Sequence, residues 1–397
     1  MRKITAILFS LFISISMIAQ TKSPYISKVY EYRPAPGQFI NELPEYEPGD
    51  TPNEMRLKAE ESIADNERIL VSLGGYGGYI VFGFDHLVEN VPGKYDFKIL
   101  ANAFYANANP NPDAPREGGS CEPGIVMVSY DANGNRKPDD EWYELAGSEY
   151  NKPETIHNYR ITYYKPDENK VRTPDMDYPY LNDTTYIRWT TNGYGEGYLY
   201  RNVFHHQSYY PQWLNEDELV FQGTKLADNY IDESGNGSYY VQYAYGWGYV
   251  DNHPNNDHRS NFNIEWAVDS EGEPVHLTGI HFVKVYTGVN QYCGWLGETS
   301  TEIMGAQDLH LLPANDINTD IKNVIQENTL KILRNPVENQ MIITSKTVQQ
   351  ANIFSIYGDR LMNINLYEGM NYITCGQLPK GIYILTNGNN SIKFVKK

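Results

Sequence analysis

EPGIVMVSYDANGNRKPDDEWYELAGSEY, residues 122–150, states an architecture and a chemistry together. IVMVSY at 125–130 is an unbroken apolar and β-branched run and reads as a buried strand; WYEL at 142–145 reads as its return partner, so a hairpin is predicted. Between the two lie Asp131, Asn133, Asn135, Asp139, Asp140 and Glu141, oxygen-bearing side chains spaced two apart and then bunched, with Gly134 and Pro138 for the bends. Such spacing turns successive oxygens toward one centre, as a hard cation requires. On a twelve-residue calcium loop, Asp131, Asn133 and Asn135 take positions one, three and five, Lys137 the backbone-carbonyl position and Asp139 position nine. Position twelve is Trp142 rather than Glu, position six is Arg136 rather than Gly, and strands flank the loop, so it is not an EF-hand. It resembles the Asp/Asn-rich calcium loops of secreted β-domains, and a structural Ca²⁺ with Kd of roughly 10⁻⁴ to 10⁻³ M is expected. A polar turn held by Asx-type hydrogen bonds is the competing reading.

The rest of the chain fits an exported β protein. Its 397 residues allow two or three domains. The formal charge of −18 disfavours nucleic acid and anionic lipid as partners, both of which need a basic footprint. Residues 1–19 open with Met1-Arg2-Lys3, continue as a mostly apolar run of about 15 residues and end at Ala19, the pattern of a signal peptide and too short to span a bilayer comfortably. No later segment is long and apolar enough to span, so no transmembrane anchoring is expected. The cysteines are Cys121, Cys293 and Cys375; a Cys121–Cys293 bridge is compatible with export, but the spacing does not demand it.

Residues 20–68 are rich in Pro, Glu and Asn and read as an irregular wrapping segment with one short helix over 56–63. Strand patterns begin at 69: ILVSL, then YIVFGFD with Ile80, Phe82 and Phe84 on one face, then KYDFKIL, in which Tyr95, Phe97 and Ile99 alternate with Asp96 and Lys98. GGYGG at 74–78 predicts a bulge or tight corner. It is no phosphate cradle, because neither a helix pattern nor Lys-Ser/Thr follows. Strands are expected again at 160–164, 186–189, 261–268 and 275–286.

SLGGYGGYIVFGFD at 72–85, YDFKILANAF at 95–104, the 122–150 hairpin and the closing GETSTEIMGAQDLHLL at 297–312 together resemble a family of secreted β-sandwich domains, the cell-surface proteins of Bacteroidetes. The resemblance implies an all-β fold with a large jelly-roll-like β-sandwich over 69–312, and it implies no reaction.

Two aromatic runs, at 194–213 and 239–258, contribute to a total of 34 Tyr against 13 Phe and 6 Trp. Flat rings bind sugar faces, which makes Tyr209, Tyr210, Trp213, Trp247 and Tyr249 candidates for a ligand platform; packing between two sheets is the alternative for each. His205-His206 and His253 with His258 match no zinc-site spacing.

After a polar linker at 313–328, residues 329–397 alternate short strands with Asn, Gly and Pro turns about every ten residues, the pattern of a separate small sandwich. Asn335-Pro336, Ile356-Tyr357-Gly358, the run from Leu378 through Pro379, Gly381 and Tyr383, and the terminal Lys396-Lys397 resemble the type A C-terminal sorting domain of the type IX secretion system. That resemblance implies an Ig-like fold, export through that machinery, and attachment to the cell surface or release.

No G-x-S-x-G, H-E-x-x-H or dinucleotide signature is present. The expected function is therefore non-enzymatic: capture of a ligand, either a glycan or another nutrient such as a peptide or corrinoid. A structural adhesin is the second reading and a glycan-active hydrolase the third, because two catalytic acids need only be near in space.

Overall fold

A computed structural model describes residues 21–105, 117–312, 330–355, 360–387 and 391–397. The signal peptide, the 313–328 linker and Ile356-Tyr357-Gly358 lie outside the described residues. Among those described, the chain is an all-β sandwich protein, with one α-helix and three short 3-10 turns. No helix is long and apolar enough to cross a membrane.

The expected hairpin is the centre of the main sheet. Gly124–Ser129 pairs antiparallel with Trp142–Leu145 in the register Met127 to Glu144 and Ser129 to Trp142. Outward from it the six-stranded sheet runs Lys28–Arg33, Tyr79–Glu89, Gly279–Thr287, Gly124–Ser129, Trp142–Leu145, Ala267–Val268, with neighbours paired antiparallel. Ile80, Phe82 and Phe84 are buried, as their alternation predicts. A four-stranded sheet built from Ile156–Tyr164, Leu181–Thr191, Glu196–Asn202 and Glu218–Lys225 shares this core. Phe221 meets Tyr79 at 6.4 Å between ring centres, and Tyr159 meets Tyr76 edge-on at 4.9 Å.

Tyr76 reaches that position because 74–78 is a tight corner. A Cβ on Gly78 would sit 1.9 Å from the Leu73 carbonyl oxygen and 2.2 Å from the Ala35 nitrogen, so only glycine lets these backbones touch. Part of the tyrosine surplus is core, and hydroxyls there find partners inside it: Tyr32 donates to the Ser72 carbonyl at 2.8 Å and Tyr163 to that of Tyr76 at 3.2 Å.

Three expectations need correction. Residues 20–68 are not a loose wrapping. They supply the edge strand Lys28–Arg33 and the helix Pro52–Ile63, and Ile26, Val29, Ile40, Met55, Ala59 and Ile63 are fully buried. The helix starts earlier than periodicity suggests because Thr51 and Glu54 form a reciprocal capping box, with Pro52 opening the first turn. The 261–268 stretch is not one strand: it breaks into Asn261–Phe262, a 3-10 turn Ile264–Trp266 and Ala267–Val268. The break is anchored by Asp96, which is fully buried rather than solvent-facing; its carboxylate accepts from the Ile264 and Val91 amides at 2.8 and 3.0 Å.

Residues 330–397 carry their own apolar core, which includes Val337, Met341, Ile353, Leu385 and Phe394. It lies between a three-stranded sheet (Leu330–Ile332, Gln340–Ser345, Gly369–Thr374) and a four-stranded one (Arg360–Leu366, Gln349–Ser355, Gly381–Thr386, Ser391–Lys396).

Candidate functional site

The 131–141 loop folds inward on its own carboxylates. Asp131 spends both oxygens on backbone amides, accepting from Asn135 at 3.1 Å and Arg136 at 2.9 Å. Asn133 and Asn135 both reach Asp139 Oδ1 at 3.1 Å, and Asp140 accepts from the Ala132 amide at 3.2 Å. Hydrogen bonds from Asn133 and then Asn135 hold the Asp139 carboxyl below the usual carboxylate range. Arg136, at the position where a calcium loop carries Gly, adopts φ +60°, the left-handed conformation that turn requires.

Asp131, Asn133, Asn135, Asp139 and Asp140 are tied to one another and to the loop's own amides, as in a polar turn held by Asx-type hydrogen bonds. Lys137 donates its backbone amide to Asn135 at 2.8 Å within the same turn. Glu141 does not join the group, since its carboxylate is taken by the Tyr143 hydroxyl at 2.8 Å.

A second group of acids has no counterpart in the sequence motifs. Glu122, Asp251 and Glu302 bring carboxylate oxygens within 4.8 Å of one another at the end of the main sheet. Glu122 precedes the Gly124–Ser129 strand and donates its amide to the Asp251 carbonyl at 2.7 Å. Asp251, at φ +55°, accepts the Glu302 amide on its own carboxylate at 3.0 Å. The remaining donors are neutral: Ser120 and Gln242 to Glu122, Ser72 and Ser300 to Glu302. The Asn102 amide, oriented as its surroundings require, reaches both Asp251 oxygens at 3.0 and 3.1 Å.

Burial pushes Glu122 up to about 7. It raises Asp251 and Glu302 well above the carboxylate range, and the neighbouring acids raise them further. These acids lie about 50 and 130 residues apart in the chain, and no spacing rule connects them. The signal available was Glu302 itself, an acid inside a Thr/Ile-rich strand.

The proposed aromatic platform does not assemble. Tyr209, Tyr210, Trp213 and Tyr249 are core residues, each at most 3% exposed. Trp213 stacks on Tyr32 at 5.8 Å, Tyr210 donates to the Glu216 carbonyl, and the Tyr249 hydroxyl accepts the Glu149 amide. None of the four lies on a strand: Tyr209, Tyr210 and Trp213 fold from the loop after Glu196–Asn202 into the main core, and Tyr249 packs in a smaller cluster with Ile125, Leu226, Tyr286 and Val289. Trp247 alone of the five is exposed, at 38%, beside Trp266.

Both nitrogens of His253 are occupied, by the Tyr105 hydroxyl and the Gly246 carbonyl, which leaves none for a metal. All three cysteines are free and buried, so Cys121 and Cys293 form no bridge.

The C-terminal motif residues are structural within the small sandwich. Tyr383 is buried against Phe394 and donates to the Pro379 carbonyl at 2.8 Å, and Gly381 opens the Gly381–Thr386 strand. Lys396 is buried on the last strand, and the Lys397 amide donates to the Val337 carbonyl at 2.9 Å. Comparison with protein-family models finds no match, and comparison with curated proteins finds none either.

Proposed function

We propose that this chain is an exported, non-enzymatic ligand-binding β-sandwich protein whose fold is pinned by Ca²⁺. One observation carries the reading: Glu122, Asp251 and Glu302 share a space in which their hydrogen-bond donors are neutral and Lys393, facing Glu122, is the one cation named against them, so that three carboxylates meet a single positive charge and a divalent cation would relieve their mutual repulsion. The 131–140 loop supplies a second, weaker cage at the surface. Export rests on the leader pattern and on the likeness of 329–397 to a type IX sorting domain.

Calorimetric titration of chelator-treated protein with Ca²⁺ tests the reading. Two binding events are expected, one abolished by Asp131→Asn with Asp139→Asn and the other by Asp251→Asn. About 10 mM Ca²⁺ should raise the Tm by roughly 2–5 °C. Neither heat nor a rise in Tm sinks the cation.

A glycan-active hydrolase is the second reading, favoured by the same trio, because raised carboxylates at close range also serve as general acids. Turnover of an oligosaccharide that is lost in Glu122→Gln or Glu302→Gln would select it.

A further inference from the structure

We propose that the groove between the turn at residues 246–248 and the 3-10 turn Ile264–Trp266 binds the face of a neutral saccharide. This rests on the ligand-capture reading above and names its place and chemical class.

The groove encloses about 400 Å³, within the range of small-ligand sites, and is lined by Trp247, Trp266, Ser148, Asn151, Glu265 and Pro274 among others. The two indoles meet at 4.5 Å between ring centres with 48° between their planes, so they form a bent aromatic wall. One face of a pyranose carries axial C–H groups with partial positive charge, which suits the negative face of an indole.

The wall is built in advance of any ligand. The Ser148 amide donates to the Trp247 carbonyl at 3.0 Å, the Trp247 amide donates back to Ser148 Oγ at 3.3 Å, and the Ala146 amide donates to the Trp266 carbonyl at 2.9 Å. Both tryptophans are thereby strapped to the chain leaving the Trp142–Leu145 strand. Gly248, at φ +89°, lies so close to Gly147 that a Cβ on it would stand 2.6 Å from the Gly147 Cα. This contact fixes the turn that carries Trp247.

The polar part of the lining decides the class. Glu265 is oriented by Asn90, which donates to it at 3.0 Å, and by His276 at 3.3 Å. Among the described residues the Asn151 amide and both indole N–H groups find no hydrogen-bond partner, which leaves them free for hydroxyls of a ligand. An apolar ligand would strand these groups. A uronic acid or other anion would meet the Glu265 carboxylate on a chain of net charge −18, whereas a neutral sugar offers hydroxyl donors to that same carboxylate.

The test uses the full chain in Ca²⁺, with calorimetry and tryptophan fluorescence against gluco-, xylo-, manno- and N-acetylglucosamine oligomers and, as the anionic arm, oligogalacturonate. The expected result is saturable binding of at least one neutral oligomer. Trp247→Ala should weaken it at least about tenfold and Asn151→Ala several-fold, with the Tm of Asn151→Ala unchanged. Asn151 is exposed, so its variant probes the groove without disturbing the core. The proposal is overturned if no neutral oligomer binds, if binding survives both substitutions, or if oligogalacturonate binds as tightly. Silence toward every sugar alongside a Ca²⁺-dependent rise in Tm overturns the groove alone and leaves the cation reading standing.

Discussion

Trp213 and Trp247 both follow closely on tyrosines in the sequence, yet one is 3% exposed and the other 38%. Substitution should separate them sharply. Trp213→Ala removes a ring packed against Tyr32 and Tyr46 and should cost about 3–5 kcal/mol in urea unfolding. Trp247→Ala removes one aromatic contact, with Trp266, from a ring that is 38% exposed and should cost about 0.5–1.5 kcal/mol. Equal losses would mean that Trp247 is also a packing residue. At this scale the hairpin loop was readable, because Asp131, Asn133, Asn135, Asp139 and Asp140 are neighbours in the chain and local geometry alone gathers them. Glu141 stands apart from the loop's mutual hydrogen bonds because the direction of one side chain depends on the Tyr143 hydroxyl, which donates to it.

Among the elements, the helix Pro52–Ile63 shows how a terminus is decided by a few hydrogen bonds. Thr51→Ala removes the cap to the Glu54 amide and should lower stability by about 0.5–2 kcal/mol; Thr51→Ser should restore most of it. The check is the midpoint of chemical denaturation, and no change in Thr51→Ala would show that tertiary packing alone holds the first turn. Apolar alternation located the Tyr79–Glu89 and Phe97–Leu100 strands correctly. It misplaced 261–268, where Phe262, Ile264, Trp266 and Val268 alternate but the buried Asp96 carboxylate draws the Ile264 amide out of the ladder. A single long-range hydrogen bond of this kind leaves no trace in local periodicity.

For the whole molecule, buried acids set the response to pH. Burial pushes Glu298 up to about 8 and Glu144 up to about 7, while an unfolded Glu ionises near about 4.3. With the folded value raised, the stabilising contribution is complete below the unfolded pKa and is lost as pH climbs through the folded values. Metal-free protein should therefore melt at progressively lower temperature from about pH 5 to 8.5, and Glu298→Gln should flatten the slope while keeping an acceptor for the Gln38 amide. A Tm that rises over that interval contradicts the assignment. Export is tested separately by intact mass of the surface or medium form: loss of the 329–397 segment is expected, and retention of Lys397 counts against sorting and cleavage.

Local chemistry written in the order of residues was enough to establish an all-β chain, its hairpin, the glycine corner and the polar turn at 131–140, since each depends on neighbours a few positions apart. Only tertiary structure decided that residues 20–68 complete the core, that four of five candidate rings face inward, and that Glu122, Asp251 and Glu302 meet. Those outcomes turn on which strands become spatial neighbours, and burial on a sheet face is a property of the partner that covers it.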